Sequence, residues 1–312
     1  MESMIVALNA VTPLTLVIIL GAVLRKIGLV DQTVISGIDR INFRVLLPVL
    51  LFNSLYTADI KTDFDLKFII FVTLVFVVEI VVWFVVIPLT EKNIKKQGTL
   101  IQAMFRSNTN VFGTSVISQI YNGAHIGLVG VSMLAAVPLP QIFGIVALER
   151  CSDRKTNYKD MLLNILKNPM IIGIIVSIFA LAVKLKLPTP IESTISSLAK
   201  AATPMALISL GATLEFSAIE ENVKDVALCI LGRAVLHPLI FIPAAVLLGF
   251  SGPQLAAIMV VTTSPVAVTV FSITRQMNGD GQLAAQLIVF STFAAVFSTF
   301  LCTFILNLLN LL

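Results

Sequence analysis

The sequence predicts an all-α membrane protein of ten transmembrane helices, built as two five-helix halves related by an inverted repeat. Three observations predict it. Hydrophobic residues make up 57% of the chain, charged residues 12%, and the mean hydropathy is +1.00. A soluble domain carries about a quarter charged residues, so this chain cannot cover a surface in water. The apolar residues also fall into segments of about 20, the length that crosses hydrocarbon as a helix. Finally, a shift of 156 residues lays Pro13 on Pro169, Pro48 on Pro204 and Asn122-Gly123 on Asn278-Gly279. With five prolines in the first half and eight in the second, chance gives about a quarter of one such coincidence.

The ten spans are expected at 5–24, 34–56, 67–89, 99–121, 125–148, 163–184, 195–214, 224–249, 254–275 and 281–309. The first follows Met-Glu-Ser-Met, which lacks a basic leader, and is too long for a signal-peptide core, so it reads as a retained span. The second carries Asp39, Arg40 and Arg44 near its start, and the seventh carries Lys200. Connections are short, the longest polar one running from about Glu149 to Lys159.

Lysine and arginine then set the orientation. Connections after odd-numbered spans carry fourteen of them, Arg154 and Lys155 included, against four on the other side (Lys61, Lys67, Lys184 and Lys186). This predicts a multi-pass protein of the cell membrane with both termini on the extracytoplasmic side. The connection after span 7, with Glu215, Glu220, Glu221 and Asp225, is acidic and contributes little. Five spans per unit is odd, so the second unit (157–312) enters the membrane from the face opposite to the first (1–156). Inverted repeats of this kind mark secondary transporters, whose substrates bind near the midplane at interrupted helices.

Several classes are excluded or unsupported. Cys151, Cys229 and Cys302 stand far apart with no C-x-x-C, and the chain has two histidines, so neither a disulfide framework nor a histidine metal cluster is indicated. No phosphate-binding G-x-x-x-x-G-K-[ST] occurs, nor a G-x-S-x-G. An enzyme, a cofactor and a nucleic-acid partner are not expected, and a sensor would need a signalling domain that this chain does not show.

The repeat directs attention to spans 4 and 9, where "RSNTNVFG" (Arg106–Gly113) falls on "TTSPVAVT" (Thr262–Thr269). Both interrupt an apolar helix with small polar residues. Pro265 lacks an N–H and breaks a helix; Asn108, Thr109 and Asn110 can satisfy the backbone that a break frees. Broken helices aim N–H groups and positive dipole ends into the membrane, where an anion can use them. Polar residues also serve as interhelical glue, but two matched clusters favour a binding site formed by Asn108, Thr109, Asn110, Thr263, Ser264 and Pro265. Arg106, about 10 Å inside if span 4 starts near Thr99, has two readings: it snorkels or pairs structurally, or it contacts an anionic substrate. Asn53 and Gln141 can reach the same space, Asn53 with helix packing as the competing role. Gly21, Gly130, Gly173 and Gly211 permit close helix approach.

Glu79 lies deep in span 3, and an intramembrane carboxylate is a functional candidate by default. Arg233 and His237 share a face of span 8, the repeat partner of span 3, so Glu79 can pair with either. Such a group reads as a proton carrier or as a static ion pair.

"LLPVLLF", "FRSNTNVFG", "TPMALISLGATL" and "TSPVAVTVF", in this order and spacing, resemble the auxin efflux carrier family, and more closely its bacterial branch of malate permeases. The resemblance implies a scaffold part and a transport part, with spans 4 and 9 crossing at their broken middles beside the substrate. It places Asn108 and Thr109 on the polar pair before the crossover and Pro265 on the crossover proline. The family's proline after that pair is missing from Gly113-Thr114-Ser115. The resulting expectation is a secondary carrier of small organic anions, malate-like (di)carboxylates foremost, working by alternating access. The alternatives are an auxin-like or monocarboxylate efflux carrier and a sodium-coupled symporter of related fold, such as the bile acid carriers. Proton and sodium are the candidate coupling ions, the lipid bilayer is a partner, and a homodimer is an open option.

Overall fold

The computed structural model describes residues 2–57, 65–151, 158–214 and 219–312. Lys61, Arg154, Lys155, Glu215 and the 156/157 midpoint of the repeat lie outside the described residues. The described chain is helical throughout, with no strand; Ser107 and Val266 form one isolated antiparallel bridge. In hydrocarbon every backbone polar group must find its partner within the protein, which a helix does by itself.

The first half contains α1 (Glu2–Lys26), α2 (Gln32–Ile41), α3 (Leu47–Tyr56), α4 (Leu66–Thr90), α5 (Ile94–Phe105), α6 (Thr114–Ile120), α7 (Ile126–Ala136) and α8 (Pro138–Arg150). A π-helical turn, Asn42–Leu46, joins α2 to α3, and another, Thr109–Gly113, leads into α6. The second half contains α9 (Tyr158–Leu166), α10 (Pro169–Ala182), α11 (Thr189–Thr213), α12 (Ile219–Ile230), α13 (His237–Leu247), α14 (Gly252–Thr263), α15 (Thr269–Gln276) and α16 (Gly281–Leu308), with a π-helical turn at Leu231–Leu236. Short polar side chains start several of these helices by accepting an orphan N–H: Asp65 from Lys67, Asn168 from Met170 and Asp280 from Leu283.

Among the described residues, six helical stretches are long and apolar enough to cross a membrane: Met4–Lys26, Leu66–Thr90, Ile126–Arg150, Thr189–Thr213, Glu220–Leu247 and Gly281–Leu308. The other four expected spans depart from that pattern for visible reasons. Residues 34–56 stay helical but hold three charges, and 163–184 divides at Asn168, where Pro169 opens a new helix. The stretches 99–121 and 254–275 are each split into two half-helices.

The helices pack through small residues. α1 lies against α11, and α3 against α10. Gly21 sits on the carbonyl of Ile208 while Gly211 sits on that of Ile18, so a Cβ at either would strike the facing backbone. Gly173 meets Pro48 in the same way. Gly130 instead lines an opening beside Asn53 and Asn110. α4 packs on α5 and α7, while α12 packs on α16 and α13 on α14. At one end of the molecule Asp39 of α2 accepts a hydrogen bond from Ser209 and pairs at 3.1 Å with Arg275 of α15. The charge in the second span is thereby buried with a partner rather than left facing lipid.

Candidate substrate site at the helix crossing

The two split helices meet at their breaks. α5 ends at Phe105 and α14 at Thr263, after which both backbones turn extended. The extended residues pair: Asn108 N–H donates to Pro265 O at 2.9 Å, and Ala267 N–H donates to Arg106 O at 2.8 Å. Val266 N–H donates to Ser291 of α16. Backbone freed by the breaks is thus satisfied across the crossing, and Gly113 lies against Val260 of α14 where a side chain would not fit. The proline absent after the polar pair is not needed for the break; the extended pairing with Val266 holds it open.

Arg233 locks the arrangement from behind. Its Nη1 donates to the carbonyls of Ala103 and Met104 at 3.1 and 2.8 Å, and its Nη2 to that of Ser264 at 2.8 Å. These are the orphan carbonyls at the C-termini of α5 and α14, where the helix dipoles place negative charge. One guanidinium therefore caps two half-helices.

A cavity of about 80 Å³ opens on the other side of the crossing, lined among others by Arg106, Asn108, Asn110, Gln141 and Thr269. That is several times what a single water requires. Arg106 is turned inward, 4% exposed. Its Nη1 donates to Gln102 Oε1 at 3.1 Å, and its Nη2 to Gln141 Oε1 at 2.5 Å and Thr269 Oγ1 at 2.8 Å. Gln102 is in turn bound to Thr274 of α15, and Gly144 of α8 leaves the room that the Arg106 side chain occupies. Every one of these partners is neutral. These side chains hold the guanidinium inside the protein, Gln102 lying one turn back along α5.

Asn108 lines the cavity with its amide nitrogen buried and without a hydrogen-bond partner. Asn110 faces the same space and donates to Ser54 at 3.1 Å. Thr109 is buried and turned to the Ser107 hydroxyl at 2.9 Å. On the opposite strand of the crossing the expectation needs correction. Thr263 and Ser264 do not line the cavity: their hydroxyls bond back to Met259 O and Val260 O, one turn earlier, and Thr299 of α16 bonds Thr263. Pro265 gives its carbonyl to Asn108 and likewise stays out of the lining. The wall there is Ala267, Val268 and Thr269, because the break carries the chain through residues 264–268 before α15 starts. Asn53 lines the openings next to the cavity rather than the cavity itself.

Glu79 and His237 meet at 2.9 Å through Oε1 and Nδ1, both buried. Trp83 donates its indole N–H to His237 Nε2 at 3.0 Å. Nε2 is then the unprotonated nitrogen, so the imidazole proton sits on Nδ1 and points at the Glu79 carboxylate. The expected Glu79–Arg233 alternative is not formed as a contact, since Arg233 is occupied by the three carbonyls. None of these three residues lines the crossing cavity.

Gln102, Gly144 and Thr269 were not legible as site residues. Gln102 and Thr269 were in plain view next to the quoted motifs, one turn before Arg106 and at the end of "TTSPVAVT".

The model of the membrane transport protein family matches residues 6–148 and 152–303. The chain belongs to this family. It is the auxin-efflux-carrier-like family that the motifs resemble. An "Uncharacterized transporter" of Methanothermobacter thermautotrophicus is 23% identical over 318 residues, covering 93% of this chain and 95% of its own. A "Putative malonate transporter" of Rhizobium meliloti is 25% identical over 205 residues, 65% of this chain and 61% of its own.

Proposed function

We propose that this membrane transport protein is a secondary carrier of small organic anions, dicarboxylates of the malonate and malate type foremost, working by alternating access. One observation carries the reading: a buried guanidinium, Arg106, lines the central cavity and has only neutral partners. An ionised group taken out of water is costly unless a counter-charge meets it, and a carboxylate in the cavity supplies one. The unpartnered Asn108 amide and the Thr269 hydroxyl add donors of the right sign. The name of the Rhizobium relative points the same way.

In this reading the ten segments form two inverted five-helix repeats, 1–156 and 157–312, with both termini extracytoplasmic. Repeat-related details support it. α6 and α15 end alike, with Gly123 N–H donating to Ser118 O and Gly279 N–H to Thr274 O, 156 residues apart. Asn122 and Asn278, which precede those glycines, both take positive φ, 49° and 59°. Thr263, Ser264 and Pro265 shape the crossing, and Arg106, Asn108, Asn110, Gln141 and Thr269 face the substrate.

The test is uptake of labelled malonate, malate and monocarboxylates into proteoliposomes, with pH and sodium gradients imposed separately. Carboxylate uptake is expected, and Arg106→Gln is expected to reduce it by at least tenfold, the scale of one lost charge-assisted contact. Failure of every carboxylate to move, or normal transport by Arg106→Gln, overturns the reading. The separate gradients decide between proton and sodium as the coupling ion.

A further inference from the structure

A wider vestibule of about 660 Å³ adjoins the crossing cavity, the two sharing Leu50, Asn110, Val111 and Thr203 as common wall. Lys200 lines this vestibule. It stands eleven residues into α11, about 16 Å from the helix start, and is exposed. Lys200 has no hydrogen-bond or ion-pair partner among the described residues, and among them no carboxylate lines the vestibule. Thr203, one turn on along the same face of α11, reaches the crossing cavity itself. Two cations, Arg106 and Lys200, thus line adjoining spaces, and neither has an acidic partner among the described residues.

From this juxtaposition we infer that Lys200 is a specificity-determining residue. It takes the second carboxylate of a dicarboxylate whose first is held at Arg106, and so makes the carrier prefer dianions to monoanions. The inference rests on the crossing cavity being the anion site. Asn110 and Asn53, on the wall between the two cations, supply neutral polar contacts along the same path. The recognised chemistry is a short chain with a carboxylate at each end.

The experiment compares malonate and malate with acetate and lactate as substrates of the intact protein in proteoliposomes, at fixed pH. Lys200→Gln is expected to raise KM for the dianions roughly tenfold while changing that for the monoanions much less, and Lys200→Arg to keep the preference. The dianion effect is expected to shrink at high salt, as an electrostatic contact should. As a control on folding, Lys200→Cys is modified in the assembled protein. An ethylammonium adduct should restore the dianion preference and an ethylsulfonate adduct should abolish it. An equal change for both substrate classes, no change for either, or adducts of opposite charge behaving alike would overturn the inference while leaving the anion site standing. A wild-type protein that moves no carboxylate removes the anion site itself.

Discussion

At the scale of single residues, charge placement decides most of what this protein can do. Arg106 and Arg233 are both buried arginines, yet their surroundings assign them opposite roles. Arg233 spends its donors on three carbonyls and holds the crossing together; Arg106 faces open space with neutral partners. Glu79 belongs to neither. Its carboxylate receives the Nδ1 proton of His237, whose tautomer the Trp83 indole selects. Coupling of transport to pH at a distance from the cavity would require this pair to take up a proton on one side and release it on the other, and Glu79→Gln tests this. Retained exchange with loss of the pH dependence of uptake would be the mark of a proton carrier; unchanged pH dependence would leave the pair a structural one.

At the scale of the elements, the controlling feature is the pair of breaks. Each broken helix has carbonyls at one half-end and N–H groups at the other, and the protein treats them differently. The carbonyl ends are capped by Arg233 on the far side, while Asn110, Val111 and Thr269, in the first residues after each break, line the cavity. Arg233→Gln should therefore act on stability before it acts on substrate. Leaving the carbonyls of Ala103, Met104 and Ser264 without the guanidinium costs about 1–3 kcal/mol each. The expected result is a thermal midpoint in detergent lowered by several degrees, with Arg233→Lys intermediate; an unchanged midpoint would mean the break holds without its cap.

At the scale of the whole molecule, the two ends of the protein differ. One end is closed by α2, α11 and α15, where Asp39, Ser209 and Arg275 join, with Thr213 also bonded to Arg275. The other end is open through the vestibule lined by Asn53, Ser115, Ser118 and Lys200. With the orientation expected from lysine and arginine, the closed end is cytoplasmic and the open end faces outward. Ser118→Cys should then react with a membrane-impermeant thiol reagent added outside. Adding Asp39→Asn, which weakens the closed end, should lower that reactivity by shifting the population toward the opposite opening. Labelling from the cytoplasmic side alone would reverse the orientation.

The class, the helical character and the place of the two helix breaks were legible in the sequence for physical reasons. Hydrocarbon demands long apolar helices, so an Arg-Ser-Asn-Thr-Asn run inside one of them stands out, as does a Thr-Thr-Ser-Pro run 156 residues later. Helix continuity was less legible: ten apolar segments are readable, but among the described residues six helical stretches reach membrane length, because Asn168 and the two breaks divide others. The start of the fourth segment was less legible for a local reason, since Ile94–Lys96 are polar enough to look like a loop yet begin the helix under the Asn93 cap.

What the sequence determined by itself is that this chain lives in a membrane, crosses it with apolar helices and interrupts two of them with polar residues. Hydropathy and chain chemistry act locally, so a linear reading suffices for them. Which side of each break faces the cavity was decided only in the tertiary structure. The hydroxyls of Thr263 and Ser264 and that of Thr269 are alike in the sequence. The extended pairing of Asn108 with Pro265 rotates the first two into the helix wall and the third onto Arg106. That choice depends on a partner strand more than 150 residues away, which no local pattern encodes.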